Sequence, residues 1–251
     1  MKEESVSVKQ GKKALFYLIV QYQTDKIEAE RTIQMGNGNR GNIMIIKNGL
    51  VFTPEGKFEK KDLYVEGEYV AKETTDNKEV EAEGCYVIPG LVDIHFHGCV
   101  RHDMCDGTEE SIQALADYEA ANGVLAICPA TMTIPEEELF QAMKAAKEHK
   151  NGKGADLVGI NMEGPFINKE KKGAQKEEDI KLADIELFHK LQEAAGGLIK
   201  LVDLAPETEG AMDFIDQVKD EVHVSIAHTM ADYDTATEAI NRGVDHITHL
   251  Y

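Results

Sequence analysis

Imidazole and carboxylate side chains recur at the C-terminal ends of apolar runs in this sequence. His95-Phe96-His97 closes Tyr86-Val-Ile-Pro-Gly-Leu-Val-Asp-Ile94, and Glu163 closes Leu157-Val-Gly-Ile-Asn-Met162. His228 closes Val222-His-Val-Ser-Ile-Ala227, and His249 closes His246-Ile-Thr248. In a barrel of parallel strands every such end opens on one face, where active sites sit. Residues far apart in sequence could then meet around one divalent metal ion or two. Nitrogen and oxygen ligands of this kind suit zinc or iron, and a metal so held would activate water for hydrolysis.

Each position also has a bland reading. A single His is usually a satisfied core or surface residue, but His-x-His at a strand end, followed by Gly98, favours metal ligation. Alternate strand residues share a face, so Asp93, His95 and His97 point one way and Phe96 the other. On the same parity His228 goes with Val224 and Ile226 and is inward if they are, while His223 is outward. His249 goes with Ile247 and is preferred over His246. His102, His149 and His189 read as ordinary exposed residues. Glu163 is followed by Gly164-Pro165-Phe166; it is either a buried carboxylate that needs a metal or partner, or a hydrogen-bonding group at an exposed mouth. The loop Lys169-Glu-Lys-Lys-Gly-Ala-Gln175 is a solvated charge run, with a substrate-covering loop as the second reading. Asp232 and Asp234 precede a helical segment and read as caps. Cys99 and Cys105 read as inert small residues.

The elements that must position these groups follow from periodicity. Residues 44–88 read as a small β unit, with short strands at Met44-Ile-Ile-Lys-Asn-Gly49, Lys61–Gly67 and Cys85–Pro89 between turn residues. Residues 89–251 alternate strand and helix. The strands are expected at Val87–His97, Val124–Thr131, Leu157–Glu163, Ile199–Ala205, Val222–His228 and Asp245–Leu250. Amphipathic helices are expected at Glu109–Asn122, Glu136–Lys150, Asp184–Ala195 and Asp232–Arg242. Such alternation implies βαβ units and a parallel sheet. Six units are present where a closed (β/α)8 TIM-type barrel needs eight, so the expectation is an α/β fold, an incomplete barrel of a longer protein. An open six-stranded sheet is the alternative, with an exposed edge.

Residues 1–43 differ in character. They carry a net charge of +2 within a chain of −19, and end in the turn-rich Gly36-Asn-Gly-Asn-Arg-Gly-Asn42. They are expected to be a leader or flexible extension before a natural start at Met44, or else to add an edge strand at Ala14–Val20.

The chain has 251 residues, 42% hydrophobic and 29% charged, enough to bury a large core. The acidic balance speaks against nucleic acid, which needs a basic footprint. No apolar run reaches the roughly 18 residues of a spanning helix, so no membrane partner is expected. The four cysteines show no Cys-x-x-Cys pair, which fits reduced thiols and a cytoplasmic location.

Taken together the motifs resemble a known family. Pro89-Gly-Leu-Val-Asp-Ile-His-Phe-His-Gly98 resembles the first-strand motif of the amidohydrolase superfamily. Met162-Glu-Gly-Pro-Phe166, the Lys-Lys-Gly-Ala-Gln loop, Ala227-His-Thr229 and Thr248-His-Leu-Tyr251 resemble the N-acetylglucosamine-6-phosphate deacetylases within it. The resemblance runs from Met44 to Tyr251. It implies a (β/α) barrel with a small β-sandwich, and removal of acetate from the 2-acetamido group of a phosphorylated amino sugar. It implies that Glu163, His228 and His249 are the principal metal ligands. His95 and His97 match a pair that some members have, which favours two ions with Glu163 bridging. Gln175 stands where some relatives have His and is a candidate substrate contact. The general base is an Asp after strand eight, expected beyond Tyr251; without it the 251 residues are expected to be inactive. The complete protein is expected to be a homodimer. The alternatives are another amidohydrolase, a cyclic amidase or deaminase, and an inactive metal-binding fragment.

Overall fold

The computed structural model describes residues 17–23, 26–27, 44–66, 69–72 and 79–250. The chain divides into two units, Met1–Gly90 and Leu91–Tyr251. The run expected as one strand from Val87 to His97 is split at that boundary into two, Cys85–Pro89 and Leu91–Asp93. Pro89 has no N–H to donate to a ladder, and Gly90 has no side chain to pack, so the pairing stops there.

The first unit is a sheet of seven strands: β1 (Tyr17–Gln23), β2 (Lys26–Ile27), β3 (Met44–Phe52), β4 (Phe58–Glu66), β5 (Tyr69–Ala71), β6 (Glu79–Glu81) and β7 (Cys85–Pro89). The order is β2-β1-β7-β3-β4-β5, with β6 alongside β3. Ile46, Val51, Leu63, Val65, Ala82, Cys85 and Val87 form its core. The alternation beginning at Met44 slips once: the β3–β4 register shifts between Ile46 and Gly49, where Asn48 takes φ 61°. Within residues 1–43, β1 pairs antiparallel with β7, from Tyr17 opposite Pro89 to Gln21 opposite Cys85. Apart from β1 and β2, that segment, including Gly36–Asn42, lies outside the described residues.

The second unit alternates as its periodicity requires. After β8 (Leu91–Asp93) comes a hairpin, β9 (Gly98–Cys99) and β10 (His102–Asp103). Then follow α1 (Glu109–Ala121), β11 (Val124–Ile127), α2 (Glu136–Glu148), β12 (Asp156–Leu157), β13 (Ile160–Glu163), α3 (Ile185–Ala194), β14 (Ile199–Leu204), α4 (Ala211–Val218), β15 (His223–Ile226), α5 (Tyr233–Arg242) and β16 (His246–Ile247). Helix starts are capped by side chains: Thr108 accepts from Ser111 N–H, Asp184 from Glu186 and Leu187, and Asp232 from Thr235. Asp234 is not a cap; it lies in the first turn of α5. Strands β8, β11 and β12 pair in parallel, as do β13, β14, β15 and β16. A parallel bridge from Ala130 to Asn161 joins the two sets.

The two faces of these strands differ in chemistry. Met162, Val202, Leu204, Val224 and Ile226 join Leu115, Met143, Phe188, Phe214 and other helix residues in one apolar core. Phe166, Phe214 and Phe188 meet edge-on within it, at 5.3 and 5.6 Å between centroids. Asn161, Glu163, Asp203 and Ser225 are equally buried but stand outside that core. One face of the sheet therefore packs against helices and the other collects polar groups.

Candidate metal centre

The polar face converges on one carboxylate. Glu163, at the end of β13, is 1% exposed, and four imidazole Nε2 atoms surround it. His228 and His249 lie 2.9 Å from Oε1, His97 3.0 Å from Oε2, and His95 3.6 Å from Oε1. The rings stand nearly edge-on to one another: His95 to His97, His95 to His249 and His228 to His249, at 5.1–5.4 Å. The ligand atoms of His95, Glu163 and His249 all lie within 4.8 Å of one another. All five residues expected from the sequence are thus brought together.

The parity argument for two of them fails. Val224 and Ile226 face the helices, and Thr248, not Ile247, faces the polar side, where its hydroxyl meets Asp203 and Ser225. His228 and His249 reach Glu163 because their backbones turn, with φ of 46° and 55°. A left-handed residue at the strand end reverses the alternation. Such a conformation costs a non-glycine residue of order 1 kcal/mol, and strain of this kind collects at functional sites.

The Nδ1 atoms of two rings are already committed. His228 Nδ1 donates to Lys171 carbonyl at 2.8 Å, and His97 Nδ1 faces the Ala130 carbonyl at 3.3 Å. A carbonyl only accepts, so these rings carry a proton on Nδ1 and present Nε2 to the carboxylate. In the metal-free chain Nε2 must be protonated as well to bond Glu163. The hydrogen bond to Glu163 accordingly raises the pKa of both His97 and His228, against the lowering effect of burial. Burial pushes Glu163 up, but hydrogen bonds from His228 and His97 and the His95 charge outweigh it and hold the carboxyl well below the usual carboxylate range. Burial lowers His95. Its Nε2 is buried without a hydrogen-bond partner, and its Nδ1 lies 2.9 Å from the Asn161 amide nitrogen. A dication in place of the Nε2 protons would meet imidazole nitrogens and a carboxylate, a donor set that fits zinc or iron.

Other sequence candidates fall elsewhere. Gln175 is 2% exposed; its amide donates to Glu163 Oε2 at 3.1 Å and accepts the Thr133 N–H at 2.5 Å. The Lys169–Lys172 side chains around it face solvent for the most part, yet the loop backbone touches the site through Lys171. His223 is paired with Asp245 at the surface. His189 is exposed, but two histidines expected to be exposed are not. The His149 side chain is 1% exposed beside Glu109, and His102 is half-buried against Ser111. Each is drawn in by a polar partner on or beside α1. Burial pushes the thiols of Cys105 and Cys128 up to about 12, which leaves them inert at neutral pH.

Three residues were not foreseen. Asn161 supports His95; Asp203, fully buried, accepts from Thr248 at 2.9 Å; Glu207 binds three groups around His228. A polar residue inside an apolar strand, as in Ile160-Asn-Met162 and Leu201-Val-Asp-Leu204, is the signal that could have marked the first two.

No protein-family model matches the chain. It is 36% identical over 214 residues to the N-acetylglucosamine-6-phosphate deacetylase of Bacillus subtilis (strain 168), covering 82% of this chain and 52% of that protein. It is 28% identical to an N-acetylgalactosamine-6-phosphate deacetylase of Escherichia coli O157:H7, over 82% of this chain and 56% of that one. The solved N-acetylglucosamine-6-phosphate deacetylase of Pasteurella multocida superposes with a TM-score of 0.75 at 23% identity, covering 84% of this chain and 57% of that chain, and so shares its fold. The chain spans about half the length of the curated relatives it matches. Sequence likeness over 82% of the chain, the shared fold and the clustered histidines agree: the chain is similar to about half of an N-acetylglucosamine-6-phosphate deacetylase.

Proposed function

We propose that Glu163, His95, His97, His228 and His249 hold one or two divalent metal ions, zinc or iron, and that they serve hydrolysis of a 2-acetamido sugar phosphate. The observation that carries this reading is the convergence of four Nε2 atoms on one buried carboxylate. A metal held there would supply a nucleophilic water at neutral pH and polarise the acyl oxygen of the amide. Glu163 turns Oε1 to His95, His228 and His249 and Oε2 to His97, so its two oxygens would serve two ions if two are held. Lys171 and Ala130 carbonyls keep two rings in the ligating tautomer. In the reaction the amide C–N bond breaks, the water oxygen joins the acyl carbon, and a proton passes to the leaving amine, giving acetate and glucosamine 6-phosphate. A substrate contact by Gln175 requires one of its bonds, to Glu163 or to Thr133, to open.

In this reading the parallel strands, β12 and β13 counting as one unit, are part of an eight-stranded barrel, the first unit is the small β-sandwich portion, and the enzyme is a cytoplasmic homodimer with no nucleic-acid or membrane partner. Among the described residues no helix is long and apolar enough to cross a membrane. The general base is an Asp beyond residue 251, so the 251 residues bind metal but release no acetate. Turnover by this chain that disappears in His249→Ala would overturn that assignment. The gene read past the Tyr251 codon is expected to encode an enzyme releasing acetate from N-acetylglucosamine 6-phosphate. The second reading, a cyclic amidase or deaminase, predicts instead ring opening of dihydroorotate or release of ammonia. Glu163 weighs against it, because those enzymes commonly bridge their metals with a carboxylated lysine.

A further inference from the structure

Glu207 lies in the loop after β14 and touches none of the five clustered residues, yet its carboxylate gathers the segments around one of them. Oε1 accepts from Asn168 Nδ2 at 2.8 Å and from the Met230 N–H at 2.6 Å, and Oε2 accepts from the Thr229 hydroxyl at 2.5 Å. Two paths lead from these bonds to His228. Along the backbone, Thr229 and Met230 directly follow His228, whose φ of 46° is unfavourable for a residue with a Cβ. Thr229, having donated its proton to Glu207, accepts the Ala231 N–H at 2.9 Å and closes the turn. Through the ring, Asn168 caps the 3-10 turn Lys169–Lys171 by accepting from Glu170, and donates its own N–H to the His228 carbonyl. The last carbonyl of that turn, Lys171, takes His228 Nδ1–H. One carboxylate thus fixes the strained backbone of His228 and the carbonyl that sets its tautomer.

We propose that Glu207 is a positioning residue of the metal centre, holding His228 so that Nε2 faces the ion. This rests on the metal-binding reading above. A charged acceptor suits the task, since three donors from two loops compete for two oxygens and bonds to an ionised acceptor are about twice as strong as neutral ones.

The test is cobalt and zinc binding by the 251-residue chain and its variants, read by the Co2+ ligand-field bands and by competition with a chromophoric chelator. Circular dichroism and thermal melting of the metal-free proteins report folding. Glu207→Ala is expected to fold, to lose about 10- to 100-fold in metal affinity and to shift the cobalt bands. Glu207→Gln, which keeps one accepting oxygen, is expected to recover most of the affinity. Asn168→Ala removes the ring path alone and Thr229→Val most of the backbone path; each is expected to lose affinity by less than Glu207→Ala. These two decide the matter if Glu207→Ala does not fold. Unchanged affinity and bands in folded Glu207→Ala, or in both single-path variants, overturn the proposal while leaving the metal centre standing. Absence of metal binding by the unaltered chain overturns both.

Discussion

Replacing Glu163 by Ala removes the one anion among four imidazoles, and replacing His249 removes a ring that bonds Glu163 and stacks edge-on with His95 and His228. Both changes are expected to lower zinc affinity at least 10-fold, measured by chelator competition; an unchanged affinity in Glu163→Ala would sink the assignment of the centre. Proton and metal compete for the same Nε2 atoms. His97 and His228 have raised values in the folded chain, so their contribution to metal-free stability is complete at low pH and is lost as pH rises through those values. Glu163 is lowered, so its contribution is present above the usual carboxylate range and is lost as pH falls through the lowered value. The metal-free chain should therefore melt highest between those limits, and zinc affinity should climb as pH rises through the raised histidine values. A pH-independent zinc affinity would contradict the protonated cluster. Asp203 behaves oppositely. Burial pushes it up to about 7, so ionising it penalises the fold increasingly as pH rises from the usual carboxylate range towards 7. Asp203→Asn should raise the melting temperature of the metal-free chain at pH 8 and change it little at about pH 3, below both values. At this scale the residues that cluster were legible because so few residue types suit a metal. The orientation of His228 and His249 was not, because alternation is a property of extended backbone and both residues leave it.

Elements were legible where one period ran long enough. Helices α1, α2, α3 and α5 stand within two residues of where amphipathic spacing puts them. Helix α4 was missed: Ala211–Val218 is eight residues long, follows the turn-like Pro206-Glu-Thr-Glu-Gly210, and buries only Ala211, Phe214, Ile215 and Val218. The short hairpin after His97 was missed for a different reason. Its two-residue turn is Val100-Arg101, with φ of 47° and 70°, where Asn-Gly is the usual pair. Val100→Asn with Arg101→Gly should stabilise the chain by about 1 kcal/mol in urea denaturation; destabilisation would mean the turn is held from outside. Gly164 tests the segment after Glu163. Its φ is 79°, and a Cβ there would run into the Thr133 hydroxyl. Gly164→Ala should displace Glu163 and weaken zinc binding while α1 to α5 persist by circular dichroism.

For the whole second unit, strand–helix alternation was enough to give consecutive parallel pairing. What it could not give was the break in pairing at Gly90, since residues 87–92 carry no polar side chain and read as one run. Among the described residues, β8 pairs only with β11 and β16 only with β15. Leu91, Val92, Ile94, Ile247 and Leu250 on these outer segments are 41–62% exposed. Unpaired edges with apolar side chains recruit other chains. The 251-residue chain is therefore expected to associate as its concentration rises despite a net charge of −19, seen as growth in light scattering; a monodisperse preparation with one cooperative melt would contradict this.

Exposure across the five clustered side chains is graded, from Glu163 at 1% through His228 at 13%, His95 at 23% and His97 at 33% to His249 at 53%. If the centre takes metal as proposed, an arriving ion would meet the wettest ring first and the carboxylate last, so capture would be a sequence of steps in time. His249 would then govern how fast metal enters and leaves, whereas Glu163 would govern how tightly it is kept once seated.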